Sequence, residues 1–228
     1  MSTLPETRTE LARMIDHTAL KPETTVEQID QLCAECLEHR FYAACVNPLW
    51  VDRCVRKLEG SDTVVASVVG FPLGASLSAV KADEARRAIE LGAGEVDMVV
   101  NLAALLAEDR LSVVNDIEAV VTAVKRINED VLVKVILETR ALSDDRIILG
   151  CRCAAEAQAD FVKTSTGFHP AGGATVEQVA LLHKHASPMK VKAAGGIRDL
   201  ATATAMIEAG ADRLGMSASV AVVESLPA

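Results

Sequence analysis

Two lysines interrupt short apolar runs: Lys163 in Phe161-Val-Lys-Thr-Ser165 and Lys192 in Lys190-Val-Lys-Ala-Ala194. Each is followed within a few residues by glycine, Gly167 after the first and Gly195 and Gly196 after the second. A lysine amine attacks carbonyl carbon only when neutral, and a desolvated pocket with a second cation beside it is the arrangement that yields a neutral amine. If the two runs are adjacent strands, about 4.8 Å apart, amines roughly 5 Å apart at an effective dielectric near 20 repel by about 3 kcal/mol, or about two pKa units. The chemistry this suits is a Schiff base with a carbonyl substrate. A lysine at a frayed strand end is the ordinary reading, and it fits Lys190, at the start of its run. It fits Lys163 and Lys192 poorly.

Other charges break other apolar runs: Asp16 in Met14-Ile-Asp-His-Thr18, Asp97 in Glu95-Val-Asp-Met-Val-Val-Asn101, and Lys134 and Glu138 in Leu132-Val-Lys-Val-Ile-Leu-Glu138. Side chains alternate between the faces of a strand, so the apolar neighbours are expected against helices and the charges together at the mouth of the sheet. Asp97 could hold the second lysine charged and leave the first to lose its proton. Lys134 and Glu138 could pair with each other or with Asp97. The glycines form a second group, Gly195-Gly196 and Gly215-Met-Ser217, ahead of a short helix expected to open near Ser217–Ser219. Backbone amides at two such loops and a helix start are suited to a phosphate.

The elements that must position these residues alternate along the chain. Strand-like runs are expected at Arg13–Thr18, Tyr42–Val46, Thr63–Val69, Glu95–Val100, Leu132–Glu138, Asp160–Ser165, Lys190–Ala194 and Arg213–Ser217. Helical stripes separate them at Val26–Arg40, Ser78–Leu91, Val113–Ile127, Asp144–Ala157, Val176–His185 and Leu200–Ala209. Strand–helix alternation demands a parallel sheet, because each crossover helix returns the chain to the same end. Eight units with no linker predict one α/β domain over residues 1–228, a (β/α)8 TIM barrel. A doubly wound open sheet would need a glycine-rich turn after the first strand, and Thr18–Pro22 has no glycine.

Composition narrows the partners. The 23 Lys and Arg stand against 32 Asp and Glu, a net charge of −9, with one Trp and one Tyr. Such a chain has neither the basic footprint nor the stacking rings of a nucleic-acid binder. The polar start, Met1–Leu11, has no signal-peptide pattern. The most apolar stretch, Val64–Val80, is broken by Ser67, Gly70, Pro72 and Gly74, which argues against a membrane span. The six cysteines (Cys33, Cys36, Cys45, Cys54, Cys151 and Cys153) read as free thiols in a reducing, cytoplasmic setting. Cys33-Ala-Glu-Cys36 has redox or zinc spacing, but it falls inside a helical stripe, and no second pair completes a zinc site. No metal and no cofactor are expected.

With these residues in view, the chain resembles the deoxyribose-phosphate aldolases, a family of class I aldolases, from about Leu11 to Val220. The blocks that carry the resemblance are Ile15-Asp-His-Thr-Ala-Leu-Lys-Pro22, Cys45-Val-Asn-Pro48, Val69-Gly-Phe-Pro-Leu-Gly74, Glu95–Asn101, Val133–Thr139, Phe161–Phe168, Lys192–Arg198 and Arg213–Ser217. The resemblance implies reversible, metal-free cleavage of 2-deoxy-D-ribose 5-phosphate to D-glyceraldehyde 3-phosphate and acetaldehyde. It implies Lys163 as the Schiff-base nucleophile, Lys192 as the lysine that perturbs it, and Asp97 as the carboxylate of a proton relay. Asp16, Thr18, Cys45, Lys134 and Thr166 match positions lining the active site, and Gly167, Gly195, Gly196, Gly215 and Ser217 match the phosphate loops. The partners expected are a small phosphorylated sugar and acetaldehyde, and a homo-oligomer is compatible with this reading. Two departures bear on phosphate affinity and the last proton transfer: Phe168 stands where some members have lysine, and Glu224–Ala228 stops short of the tyrosine-ended tail of others. The competing readings are a phosphosugar isomerase, a Schiff-base aldolase for another aldehyde, and a non-catalytic phosphometabolite-binding barrel. The last would keep the glycine cradle but need no facing lysines.

Overall fold

Eight strands form in chain order: Ile15–Ala19 (β1), Ala43–Val46 (β2), Val64–Val69 (β3), Glu95–Val99 (β4), Leu132–Ile136 (β5), Phe161–Lys163 (β6), Lys190–Ala194 (β7) and Arg213–Met216 (β8). Each pairs in parallel with the next, and β8 returns to β1 to close the barrel. The structure, a computed structural model, describes residues 4–227. The first residues of the polar start and the final alanine of the expected 1–228 domain lie outside the described residues.

The helices are Arg8–Ala12 (α1), Val26–His39 (α2), Val51–Lys57 (α3), Ser78–Glu90 (α4), Leu102–Leu106 (α5), Arg110–Lys125 (α6), Asp144–Glu156 (α7), Val176–His185 (α8), Leu200–Glu208 (α9) and Ser219–Glu224 (α10). Their starts are set by local chemistry. Thr25 and Gln28 form a reciprocal capping box on α2, and Asp109, Thr175 and Asp199 cap α6, α8 and α9 with side-chain oxygens. Among the described residues no helix is long and apolar enough to cross a membrane.

Strand alternation sorts the side chains into two compartments. Ile15, Ala44, Val65, Val96, Met98, Val133, Val135, Val162, Val191, Ala193 and Leu214 join the apolar core between barrel and helices. The intervening residues face the barrel interior, apolar at Ala43, Cys45, Ala66 and Val68 on β2 and β3. On the other strands the interior is charged. The register sets Lys163 directly beside Lys192, and Asp97 beside Lys134.

Strands β4 and β8 end one residue earlier than their sequences suggest, and β5 and β6 end two residues earlier. Leu132–Glu138 reads in the sequence as one run, but Glu138 is in the left-handed region at φ 59°, which stops β5 at Ile136. Beyond Lys163, the Thr164 hydroxyl replaces a backbone carbonyl as acceptor of the Ala194 N–H at 3.0 Å. The carbonyl of Thr164 takes Thr139 N–H instead, at 2.9 Å. Strand β6 therefore ends at its lysine, and the chain after it is free to form the rim.

One buried ion pair ties the helical layer to the sheet. Lys81 of α4 donates to Asp116 of α6 at 2.7 Å and to the Val99 carbonyl at 2.9 Å. Asp116 also accepts from Ser78 Oγ and Asn101 N–H, each at 2.8 Å. Removing one partner of a buried pair leaves the other charge uncompensated, so Lys81→Met is expected to cost about 3–5 kcal/mol in urea unfolding. A loss within experimental scatter would mean that Asp116 is sufficiently held by its two uncharged donors.

Candidate active site

The interior charges form one network. Asp97 Oδ1 accepts from Lys134 at 2.6 Å, and Asp97 Oδ2 accepts from both Lys163 at 2.8 Å and Lys192 at 2.7 Å. Lys192 also donates to Asp16, and Arg213 reaches the other oxygen of Asp16 at 2.7 Å. Glu95 lies 2.6 Å from Lys134 and 3.5 Å from Arg213, whose guanidinium stacks 3.3 Å over the Tyr42 ring. Asp16, Asp97, Lys134 and Lys192 are wholly buried, and Lys163 is 3% exposed.

The electrostatics distinguish the three lysines. Burial pushes the Lys163 amine below the ordinary lysine value and the Lys192 ammonium pushes it further, while Asp97, shared with two other amines, pulls only partly back. Burial also works against the Lys192 and Lys134 ammoniums, but the carboxylates around each outweigh it, and both are held above the ordinary value. Burial disfavours the Asp97 carboxylate, yet the three lysines overcome it and hold the group well below the usual range. Asp16 is brought down to about 2 in the same way, burial being outweighed by Lys192, Lys134 and Arg213. Burial raises the Cys45 thiol, which packs among Leu20, Ala43, Ala66 and Val68 beside the network.

A cavity of about 610 Å³ opens above the network at the C-terminal end of the strands, where barrel active sites form. Of the residues singled out in the sequence, Thr18, Lys163, Thr166, Gly167, Gly195, Gly196, Gly215 and Ser217 border it. Asp16, Cys45, Asp97, Lys134 and Lys192 do not; they lie beneath its floor. Gly195 has φ +86°, and a Cβ there would come within 3.0 Å of Gly173 Cα and 3.3 Å of Gly167 Cα, so the rim loops meet backbone to backbone. Gly215 has a second task, since a Cβ there would lie 3.0 Å from Lys192 Cε. Ser217 is exposed just before α10, whose first amides no side chain caps. Phe168 borders the cavity and packs edge-on against Phe71, with ring centroids 5.3 Å apart.

Glu138 departs from its expectation. It pairs with neither Lys134 nor Asp97 and instead accepts the Thr166 hydroxyl at 2.6 Å, because the left-handed turn swings it out of the strand to the rim. Lys190 is exposed, as its place at a strand start suggests. Glu95, Arg213, Lys21 and Arg198 join the site without standing out in the sequence. Glu95 and Arg213 stand two residues before Asp97 and Gly215, so the strand period carried a signal for them. Lys21 and Arg198 are exposed cations on the cavity wall with no such signal. Among the described residues, no group of three or more His, Cys, Asp or Glu side chains is placed to hold a metal.

A family model described as DeoC/LacD family aldolase matches residues 11–223. The deoxyribose-phosphate aldolase of Brevibacillus brevis is 53% identical over 212 residues, 92% of this chain and 94% of that protein. That of Listeria innocua is 52% identical over 214 residues, 93% of this chain and 94% of that protein. Among solved structures, the tetrameric deoxyribose phosphate aldolase from Aeropyrum pernix superposes with a TM-score of 0.88 at 35% identity, covering 96% of this chain and 92% of that one.

Proposed function

The chain belongs to the DeoC/LacD aldolase family, and from that premise we propose that it cleaves 2-deoxy-D-ribose 5-phosphate reversibly to D-glyceraldehyde 3-phosphate and acetaldehyde, through a Schiff base on Lys163. One observation carries the choice of residue. Lys163 alone of the buried lysines borders the cavity, and it is the one whose amine burial and Lys192 drive toward the neutral form.

In this reading the neutral Lys163 amine adds to the C1 aldehyde of the open-chain sugar. The carbinolamine takes a proton from water on its hydroxyl and loses water to give an iminium, the proton being given back when the product iminium is hydrolysed. The C2–C3 bond then breaks. The C3 hydroxyl loses its proton and becomes the aldehyde of glyceraldehyde 3-phosphate, while the bonding pair moves to C2 as an enamine. A water held by Asp97 and Lys192 takes that proton and returns one to C2. Asp97 acts here as a fixed anion that orients the water, since three lysines hold its carboxylate too weakly basic to keep the proton. Hydrolysis of the new iminium releases acetaldehyde and restores the amine. Asp16, Thr18, Cys45, Lys134 and Thr166 complete the surroundings, and Gly167, Gly195, Gly196, Gly215 and Ser217 cradle the 5-phosphate. The cations of Lys21 and Arg198 on the cavity wall support an anionic end to the substrate there.

The six cysteines are unpaired thiols, which supports a reducing, cytoplasmic setting. The tetramer named for the Aeropyrum pernix relative supports a homo-oligomer.

Incubation with 2-deoxy-D-ribose 5-phosphate should yield acetaldehyde and glyceraldehyde 3-phosphate in equal amounts, followed by NMR. The rate should be unchanged in EDTA, because the Schiff base supplies the electron sink that a metal provides in other aldolases. Activity lost to the chelator and restored by a divalent ion would move the protein to a metal-dependent class.

A further inference from the structure

Among the described residues, four potential cations of the interior network, Lys134, Lys163, Lys192 and Arg213, face three carboxylates, Asp16, Glu95 and Asp97. None is more than 6% exposed. Uncompensated charge in such a place is costly, so the network favours shedding one proton. Arginine does not give one up. Lys134 has Glu95, Asp97 and Asp16 within reach, and Lys192 has Asp16 and Asp97. Lys163 has only Asp97, on the oxygen that Lys192 also uses. The surplus cation is therefore Lys163.

Two members of the network do not border the cavity and play no part in the reaction described above. Glu95 and Arg213 sit at the first residues of β4 and β8, at the foot of the barrel. Both Glu95 oxygens lack a well-aligned hydrogen bond, an expensive state for a buried carboxylate. What the group contributes there is its charge. Resting on the reading of Lys163 as the nucleophile, we infer that Glu95 and Arg213 are positioning residues whose opposite charges set whether the Lys163 amine carries a proton.

The coupling runs through shared carboxylates. Without Glu95, Lys134 depends on Asp97 Oδ1, and less of the Asp97 charge remains to stabilise a Lys163 ammonium. Without Arg213, Asp16 turns fully to Lys192, and Asp97 is released toward Lys163. The groups facing Lys163 from the packed strands are Asp16 on β1, Cys45 on β2, Asp97 and Glu95 on β4, Lys134 on β5, Lys192 on β7 and Arg213 on β8. Strand β3 presents no titratable group there, its interior side chains being Val64, Ala66 and Val68, and Glu138 at the rim is bonded to Thr166.

The test is the acid limb of kcat/KM for unphosphorylated 2-deoxy-D-ribose, which has no phosphate of its own to titrate. Glu95→Gln should move that limb about one pH unit lower and Arg213→Met about one unit higher. The double variant again has one surplus cation, and Arg213→Lys keeps the charge, so both should return the limb close to that of the parent. Opposite shifts from two neighbouring substitutions, cancelling in the pair, are not what loosened packing would give. Should Arg213→Met fail to fold, Glu95→Gln and Arg213→Lys still make the comparison. Limbs that stay put, or that move the same way in both single variants, overturn the inference if borohydride and acetaldehyde still label Lys163. Label on another residue overturns the functional reading and this inference with it.

Discussion

Lys163→Met is expected to lower turnover of 2-deoxy-D-ribose 5-phosphate by about four orders of magnitude or more, because in the proposed mechanism it removes the covalent route rather than one contribution to it. The same substitution should leave the fold intact. Methionine fills nearly the same volume, and the amine it replaces shares a single carboxylate oxygen with Lys192. With Lys163 gone, the remaining interior cations match the carboxylates, so the midpoint of thermal unfolding should hold or rise. Circular dichroism and a thermal melt beside the activity assay separate the two effects. An inactive variant that also melts far earlier would show that Lys163 was holding the barrel together, and the loss of turnover would then say little about chemistry. A variant that keeps most of its activity would remove Lys163 from the mechanism.

Ser217→Asp should cost 2-deoxy-D-ribose 5-phosphate on the order of a hundredfold or more in kcat/KM, because it sets a carboxylate within a few ångströms of the proposed phosphate site. Ser217 is exposed on the cavity rim, near the start of α10 and remote from the bond that breaks. Unphosphorylated 2-deoxy-D-ribose has nothing there to repel and should change far less. Phe168 sharpens the comparison: its ring is packed edge-on against Phe71 and offers no charge to the anion. On the proposed reading the glycine loops, with Lys21 and Arg198 on the wall, hold the phosphate. Equal losses on both substrates would mean that the aspartate had deformed the rim, and the phosphate would have to be sought elsewhere.

The parts of this site legible in the sequence are those where charge violates the expectation for a buried parallel strand. Lys192, Asp97 and Lys134 each stand between apolar neighbours, Lys163 and Asp16 each directly follow one, and the barrel brings all five into one network. The strand period and the alternation with helices carried the eight-stranded barrel itself. Glu95 and Arg213 escaped because a charge at the first residue of a strand is ordinarily solvated, as Lys190 is. The place of Glu138 is not legible, because a two-residue period puts it on the same face as Lys134 and nothing in Leu-Glu-Thr announces a left-handed turn. The short helices α1, α3 and α5 span five, seven and five residues, too few turns for a periodic stripe. Lys81 and Asp116 look like solvent-facing charges of amphipathic helices, and only the close packing of α4 on α6 buries them together.

Borohydride reduction in the presence of acetaldehyde reads out whether the Lys163 amine forms the proposed Schiff base. Reduction should fix one two-carbon unit per chain as an N-ethyl lysine, and peptide mass mapping should find it on Lys163, with none formed in Lys163→Met. The label found on Lys192 or Lys134, or retained in full by Lys163→Met, would mean that Lys163 is not the Schiff-base residue.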